Sequence, residues 1–127
     1  MAEVTKNKIL IIEDDTFISD MYRMKLESEG FNVRIAEDGK KGLEEVNREK
    51  PDLVLLDVVM PRMDGFGVLQ TLKEDPEIQD VKVVLLTNLG QKESVEKGLE
   101  LGALDYIIKA HFTPAEVVEK VKQILSK

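Results

Sequence analysis

Polar side chains stand at the points where short apolar runs of this chain end. Glu13 and Asp14 follow the first run, Asp57 follows the third, Thr87 the fourth and Lys109 the last. Uninterrupted apolar runs are typical of strands that are covered on both faces of a parallel sheet. Ligands of open α/β sheets bind in the crevice at the carboxyl ends of the strands. We therefore expect these five side chains to meet at one edge of a sheet.

Such a group of side chains has a definite chemistry. Clustered carboxylates repel one another and share raised, coupled pKa values unless a cation neutralises them. Hard oxygen ligands with open positions suit Mg²⁺, which keeps waters that an incoming phosphate can replace. Lys109 adds a positive charge, and the Thr87 hydroxyl can hydrogen-bond a phosphoryl oxygen. A carboxylate flanked by a metal ion and an ammonium group is equipped to form an aspartyl phosphate, here at Asp57.

Strands and helices alternate along the chain to position these residues. Apolar runs predict strands at residues 9–12, 31–35, 53–56, 81–86 and 106–108. Helical spacing of apolar residues predicts five helices after these strands, the third over 66–73, the fourth over 91–101 and the last behind a capping box at Thr113. Gly30 and Gly102 are expected to end the first and fourth helices.

This alternation predicts an α/β fold with a parallel sheet and helices on both of its faces. Residues 31–35 alternate between apolar and polar, which indicates an edge strand, whereas the other long runs indicate central strands. We predict a flavodoxin-like, doubly wound (βα)5 sheet with strand order 2-1-3-4-5. A single domain is expected over residues 8–126, after a flexible leader at residues 1–7.

The fourth predicted helix has a thin apolar stripe. Val95 and Leu99 are expected to face the sheet, and Gly98 is expected to weaken the middle of the helix. These features predict an element of low stability that can move.

Composition narrows the classes of function. A chain of 127 residues with 43% apolar and 34% charged residues is typical of one globular domain. Its net charge of −7 argues against direct binding to nucleic acid. The chain contains no cysteine, no signal-peptide pattern and no apolar run long enough for a membrane span, which together favour the cytoplasm.

Four segments of the sequence resemble one known family. The segments are ILIIEDD, LLDVVMPRMDG, VVLLTN and GALDYIIK, and they occur in the family's order and spacing. Together they resemble the response-regulator receiver domain of two-component signalling, over residues 8–126. The family is a signalling phosphoacceptor that catalyses its own phosphorylation and slow dephosphorylation, and is not a conventional enzyme.

The resemblance implies a role for each matching residue. Asp57 would be the phosphoacceptor, and Lys109 would pair with the phosphoryl group. Mg²⁺ would be bound by Asp14, by Asp57 and by the backbone carbonyl of Val59, with Glu13 acting through a water.

The resemblance also implies a switch and a set of partners. Thr87 would move toward the phosphoryl group and Tyr106 would turn inward, which changes the face formed by the fourth helix, fifth strand and fifth helix. A histidine kinase or phosphotransfer protein would be the donor, and a downstream protein or output domain, which the sequence does not identify, would respond. The oligomeric state is left open between a monomer and a phosphorylation-dependent dimer.

The sequence departs from the family pattern at four positions. Ala110 replaces the usual proline after the lysine and leaves the isomer of the preceding peptide bond open. Asn88 replaces a small residue and is expected to narrow access to Asp57. Val59 and Leu89 are apolar at positions that tune dephosphorylation, and we hypothesise that they lengthen the lifetime of the phosphoryl group.

Other interpretations stay open at this stage. An aspartyl-nucleophile phosphohydrolase of the haloacid dehalogenase type would need a second aspartate where Val59 stands. A flavin-binding module would need a Ser/Thr/Gly-rich loop after the first strand, where Asp14 and Asp15 stand instead. A docking module that is never phosphorylated is a further alternative.

Single residues of the predicted site also have simpler interpretations. Thr87 alone is also compatible with a helix cap, and Tyr106 with an ordinary strand aromatic. His111 is interpreted as a solvated loop residue and Asp15 as a helix cap.

Overall fold

The computed structural model describes residues 7–58, 64–88 and 92–126 of the chain. Residues 1–6 of the predicted leader, together with Val59 and Leu89, lie outside the described residues. Within the part of the chain that is described, no helix combines the length and apolar character that a membrane span requires.

Five parallel strands form one sheet in the predicted order, β2-β1-β3-β4-β5. The strands are β1 (Lys8–Ile12), β2 (Asn32–Ala36), β3 (Leu53–Asp57), β4 (Lys82–Thr87) and β5 (Asp105–Ile108). Every residue of β3 is buried, whereas the edge strand β2 is partly exposed. The flavodoxin-like prediction is therefore confirmed.

Helices follow all five strands, as predicted. They are α1 (Thr16–Ser28), α2 (Gly39–Arg48), α3 (Gly65–Glu74), α4 (Lys92–Glu100) and α5 (Pro114–Leu125). Asp15 is the N-cap of α1, where its carboxylate accepts the N–H groups of Phe17 and Ile18. The Thr113 capping box is also present. Both predicted caps are thus confirmed, since their side chains satisfy helix donors that have no partner within the helix.

Two apolar layers cover the sheet, one on each face. Leu10, Val54 and Leu85 pack with α2 and α3 on one face. Ile9, Leu55 and residues of α1 and α5 form the other layer. Successive residues of a strand point to opposite faces, so the uninterrupted apolar runs fill both layers. The strand ends are thereby held in a fixed arrangement at the edge that carries the polar residues.

The prediction for the inner face of α4 is wrong at Leu99. That side chain is 40% exposed, and Gly98 is the buried residue of the helix. A Cβ atom on Gly98 would lie 2.1 Å from Leu85 Cδ1, so a larger residue would require the buried Leu85 side chain to shift. Because the glycine faces the sheet, the neighbouring Leu99 is turned toward solvent.

A short 3-10 turn, Lys109–His111, connects β5 to the segment before α5. The Lys109–Ala110 peptide bond, whose isomer the sequence left open, is trans. His111 is exposed.

Candidate functional site

The predicted carboxylates lie together at the carboxyl edge of the sheet. Ile12 of β1 pairs with Leu56 of β3, so the residues that follow them, Glu13 and Asp57, are neighbours. Carboxylate oxygens of Glu13, Asp14 and Asp57 all lie within 4.8 Å of one another. Glu13 and Asp57 are buried, with 1% and 3% exposure, whereas Asp14 is open to solvent. The cluster therefore has an inner part and an accessible side.

Lys109 supplies the positive charge of the cluster. Its Nζ lies 2.6 Å from Glu13 Oε1 and 3.3 Å from Asp57 Oδ2. Its side chain is only 12% exposed, so these charges interact in a region that water screens weakly. The other oxygen of Glu13 accepts the backbone N–H of Asp15 at 3.1 Å.

The pKa of Glu13 is raised above its ordinary value, chiefly by burial and in part by the neighbouring Asp57. Burial, a hydrogen bond with Asp57 and the charge of Asp57 raise it to about 7, although Lys109 acts in the opposite direction. Burial by itself lowers the pKa of Lys109, but the hydrogen bond to Glu13 and the charge of Asp57 more than offset this effect and hold it above its usual value. One ammonium group thus does not fully neutralise the buried carboxylates.

The three carboxylates fit a hard divalent cation. They provide closely spaced oxygen ligands, an exposed side at Asp14 and a negative charge that Lys109 leaves partly uncompensated. Oxygen ligands of this kind suit Mg²⁺. The backbone carbonyl of Val59, the remaining predicted ligand, is outside the described residues.

Thr87 lies at the end of β4 with a buried hydroxyl group. Its exposure is 1%, and no described residue hydrogen-bonds its Oγ1. The next helix, α4, begins at Lys92, so Thr87 is not its N-cap residue. Leaving a buried hydroxyl without a partner is unfavourable, and an oxygen atom brought beside it would relieve that cost.

Tyr106 and Asn88 are more exposed than Glu13 and Asp57. Tyr106 is 37% exposed on the edge strand β5. Asn88 is exposed directly after Thr87. Tyr106 is thus on the surface in this state.

Gly65 is a residue of the site that entered the sequence analysis only as the last residue of the segment LLDVVMPRMDG. A Cβ atom there would lie 2.3 Å from the backbone oxygen of Asp57 and 2.8 Å from Val58 Cα. Its N–H donates to the Val58 carbonyl at 3.0 Å. The start of α3 is therefore pressed against the backbone of Asp57. In the sequence, the Asp64-Gly65 pair indicates only a turn. The close approach of Gly65 to Asp57 depends on the tertiary structure.

Comparison with known proteins gives a consistent result. Residues 9–122 match the family described as response regulator receiver domain. The chain is 40% identical over 120 residues to the DNA-binding dual master transcriptional regulator RpaA of Synechocystis sp., which covers 94% of this chain and 49% of that protein.

Two solved structures share the fold and about a third of the sequence. A CheY-like response regulator receiver domain protein from Methanospirillum hungatei JF-1 is 32% identical, with a TM-score of 0.87 and coverage of 96% of this chain and 95% of that chain. The signal receiver domain of a signal transduction histidine kinase from Syntrophus aciditrophicus is also 32% identical, with a TM-score of 0.85 and coverage of 94% and 90%.

The chain spans about half the length of the curated relatives it matches, such as RpaA at 49%. The family match itself extends over residues 9–122, which is nearly the whole of the folded part described above. The chain therefore belongs to the response regulator receiver domain family, the signalling modules of two-component systems.

Proposed function

We propose that this receiver domain accepts a phosphoryl group on Asp57 and acts as a phosphorylation switch. The observation that carries the proposal is the position of Asp57. It is a buried carboxylate at a strand end, with Lys109 Nζ 3.3 Å from Oδ2 and two further carboxylates within 4.8 Å. A purely structural role does not call for so much uncompensated charge in one place.

The proposed step is an in-line displacement at phosphorus. A carboxylate oxygen of Asp57 forms a bond to the phosphorus atom, and the bond from phosphorus to the donor's leaving atom breaks. The electron pair of that bond stays on the leaving nitrogen of a phosphohistidine or the leaving oxygen of an acyl phosphate. The Lys109 ammonium stabilises the charge on the phosphoryl oxygens, and the Thr87 hydroxyl donates a hydrogen bond to one of them.

We propose Mg²⁺ as the cofactor of this step. Asp14 and Asp57 would hold it directly, together with the backbone carbonyl of Val59. Glu13 would act through a water, in agreement with its two oxygens being engaged by Lys109 and by the Asp15 N–H. When bound, Mg²⁺ supplies positive charge to the oxygens of the transferring group.

The phosphodonor is proposed to be a histidine kinase or a phosphotransfer protein, acting in the cytoplasm. Such a donor must cover the carboxyl edge of the sheet to reach Asp57. The helix that starts at this edge, α1, presents the exposed apolar side chains of Phe17, Met21 and Met24 in one stripe, opposite its buried residues. A continuous apolar stripe beside the site favours a protein surface as the donor's contact.

The proposed output is a shift between two populations of the domain. The hydroxyl of Thr87, which has no hydrogen-bond partner among the described residues, would bind the phosphoryl group, and Tyr106, now at the surface, would turn inward. The face made of α4, β5 and α5 would pass this change to a downstream protein or an output domain. RpaA, which matches this chain over 49% of its own length, is described as a DNA-binding transcriptional regulator.

Incubation with acetyl phosphate and Mg²⁺ tests the proposal. We expect the intact mass of the protein to rise by one phosphoryl group, and Asp57→Asn to stay unmodified. A folded wild-type protein that never gains this mass would contradict the proposal and favour a docking module that works without phosphorylation.

A further inference from the structure

We infer that Lys97 and Phe66 form a latch that holds α4 against α3 in the unphosphorylated domain and opposes the phosphorylated state. Lys97 Nζ lies 4.6 Å from the centroid of the Phe66 ring, within the range of a cation–π interaction. The two residues belong to different helices, so their contact bridges α4 and α3. The part of the inference that concerns phosphorylation rests on the function proposed above.

The latch matters because α4 buries few of its side chains among the residues that the structure describes. Gly98 is the one buried residue of this helix, and its neighbours on the helix are exposed or partly buried. Gly98 rests on the side chain of Leu85, where an added Cβ would lie 2.1 Å from Cδ1. A helix whose one fully buried residue is a glycine gains little free energy from apolar burial. The contribution of Lys97 and Phe66 is therefore a substantial part of what keeps α4 in place.

On the α3 side, the latch lies next to a residue that packs against the proposed phosphoacceptor, Asp57. Phe66 packs against the apolar layer that α3 covers, and it directly follows Gly65. Gly65 lies against the Asp57 backbone with no space for a side chain. The backbone next to Phe66 is therefore packed against Asp57, and the ring, which contacts the apolar layer, provides the α3 side of the contact with Lys97.

On the α4 side, the latch rests on β4, the strand that ends at the predicted switch residue Thr87. Leu85, on which Gly98 rests, and Thr87 are two residues apart on β4, so their side chains leave the same face of the sheet. Movement of Thr87 toward a phosphoryl group therefore disturbs the strand on which α4 rests. A cation–π contact acts over a short distance, so displacement of α4 breaks it.

It follows that the latch stabilises the resting state more than the phosphorylated state. A contact that is made in only one of two states changes the free-energy difference between the states by the free energy of that contact. Exposed cation–π contacts correspond to a shift of about two- to fivefold in an equilibrium constant. Neutralising Lys97 should shift the populations toward the phosphorylated state by this factor.

Hydrogen exchange of the α4 amides in the unphosphorylated protein tests the latch itself. We expect exchange about two- to fivefold faster in Lys97→Gln than in wild type. Lys92→Gln removes a positive charge from the first turn of the same helix and controls for net charge, and the double-mutant cycle below separates the contact with Phe66 from the favourable position of Lys97 in the last turn. Lys97→Arg should retain protection, because a guanidinium group also binds an aromatic face. Equal exchange in Lys97→Gln and Lys92→Gln would overturn the inference.

A double-mutant cycle isolates the pair from the packing of Phe66. Phe66→Leu removes the aromatic face and also disturbs the apolar layer, so its effect alone is not decisive. We expect Lys97→Gln to have no further effect on α4 exchange once Phe66→Leu is present. Full additivity of the two substitutions would overturn the latch.

The affinity for beryllium fluoride tests the regulatory part of the inference. Beryllium fluoride is a stable analogue of the phosphoryl group, and it is titrated into the protein with Mg²⁺ present. Lys97→Gln should bind it about two- to fivefold more tightly than Lys92→Gln. Faster α4 exchange without tighter binding would overturn the regulatory part. If no variant bound the analogue or gained mass from acetyl phosphate, the proposed function would fail, while the exchange result would still decide the latch.

Discussion

The Nζ of Lys109 lies 3.3 Å from Asp57 Oδ2, although the two residues come from strands that are not neighbours in the sheet. Asp57 ends β3 and Lys109 follows β5, with β4 between them. The lysine thus reaches over the end of β4, where Thr87 lies. Thr87 therefore ends the strand that lies between those leading to the carboxylate and the cation, at the edge of the sheet that the proposed phosphoryl group would approach.

Removing the Lys109 charge should impair both stability and phosphorylation. Lys109→Met leaves Glu13 and Asp57 buried without their cation, so we expect the free energy of unfolding to fall by about 1–3 kcal/mol. Urea unfolding in metal-free buffer measures this change. Lys120→Met is the control, because it breaks the more exposed pair with Asp105. Equal losses in the two variants would contradict the proposed importance of the buried pair.

Glu13 and Asp14 should contribute differently to Mg²⁺ binding. Glu13→Gln alters a group that acts through a water, so we expect Mg²⁺ affinity to fall by about tenfold. Asp14→Asn removes a proposed direct ligand and should reduce affinity further. Titration followed by calorimetry or NMR shifts measures both effects. The exposed residue Asp20 on α1 provides the control substitution Asp20→Asn, and a loss there as large as at Asp14 would contradict the assigned ligands.

Thr87→Val should separate stability from signalling. The Thr87 hydroxyl is buried and has no hydrogen-bond partner among the described residues. Replacing it by a methyl group of similar size is expected to raise the free energy of unfolding by about 1 kcal/mol. The same variant should accept the phosphoryl group but lose the spectral change that accompanies it in NMR. A destabilised Thr87→Val protein would show that the hydroxyl is satisfied in solution.

Gly65→Ala should damage the fold and the site together. The added methyl group would meet the Asp57 backbone oxygen at 2.3 Å, and backbone atoms cannot move aside easily. We expect a loss of about 1–3 kcal/mol in unfolding free energy and slower modification by acetyl phosphate. Gly30→Ala is a useful comparison, since its positive φ of 95 strains an alanine although no atom lies within 4 Å. That variant should lose about 1 kcal/mol without any change in modification rate.

The pair between Glu29 and Lys122 predicts a pH dependence. Lys122 Nζ lies 2.6 Å from Glu29 Oε1 and joins the end of α1 to α5. The hydrogen bond to Lys122 lowers the pKa of Glu29 below its ordinary value of 4.5. A lowered pKa stabilises the fold above the unfolded pKa, and this stabilisation is lost as the pH falls through the folded pKa.

Lys122→Met should therefore reduce stability at neutral pH and have a shrinking effect as the pH drops below about 4.5. Unfolding of wild type and variant at pH 7 and pH 3 measures the difference. The effect should be small and should weaken with salt, because both side chains are partly exposed to solvent. A constant difference at both pH values would indicate that the variant acts through packing.

The convergence of the polar residues could be predicted from sequence for a simple physical reason. Parallel strands bring their carboxyl ends to one edge, so residues that follow apolar runs meet there regardless of their separation in the chain. Glu13, Asp57 and Lys109 lie together as this rule predicts. The strand order followed in the same way from the alternation in the edge strand.

Contacts that depend on how closely two elements approach could not be predicted. Helical periodicity assigned Leu99 to the inner face of α4, but the helix is turned so that Gly98 fits against Leu85. Periodicity carries little information in a short helix with few apolar residues. The contact of Lys97 with Phe66 joins two helices whose separation no local pattern specifies.

Phosphorylation of Asp57 is tested most directly by intact mass measured after incubation with acetyl phosphate, with and without Mg²⁺. Wild type, Asp57→Asn and Asp80→Asn should be compared, since Asp80 pairs with Lys50 away from the carboxylate cluster. We expect one added phosphoryl group in wild type and Asp80→Asn, only with Mg²⁺, and none in Asp57→Asn. Modification that persists in a folded Asp57→Asn protein, or that never occurs in wild type, would contradict this expectation.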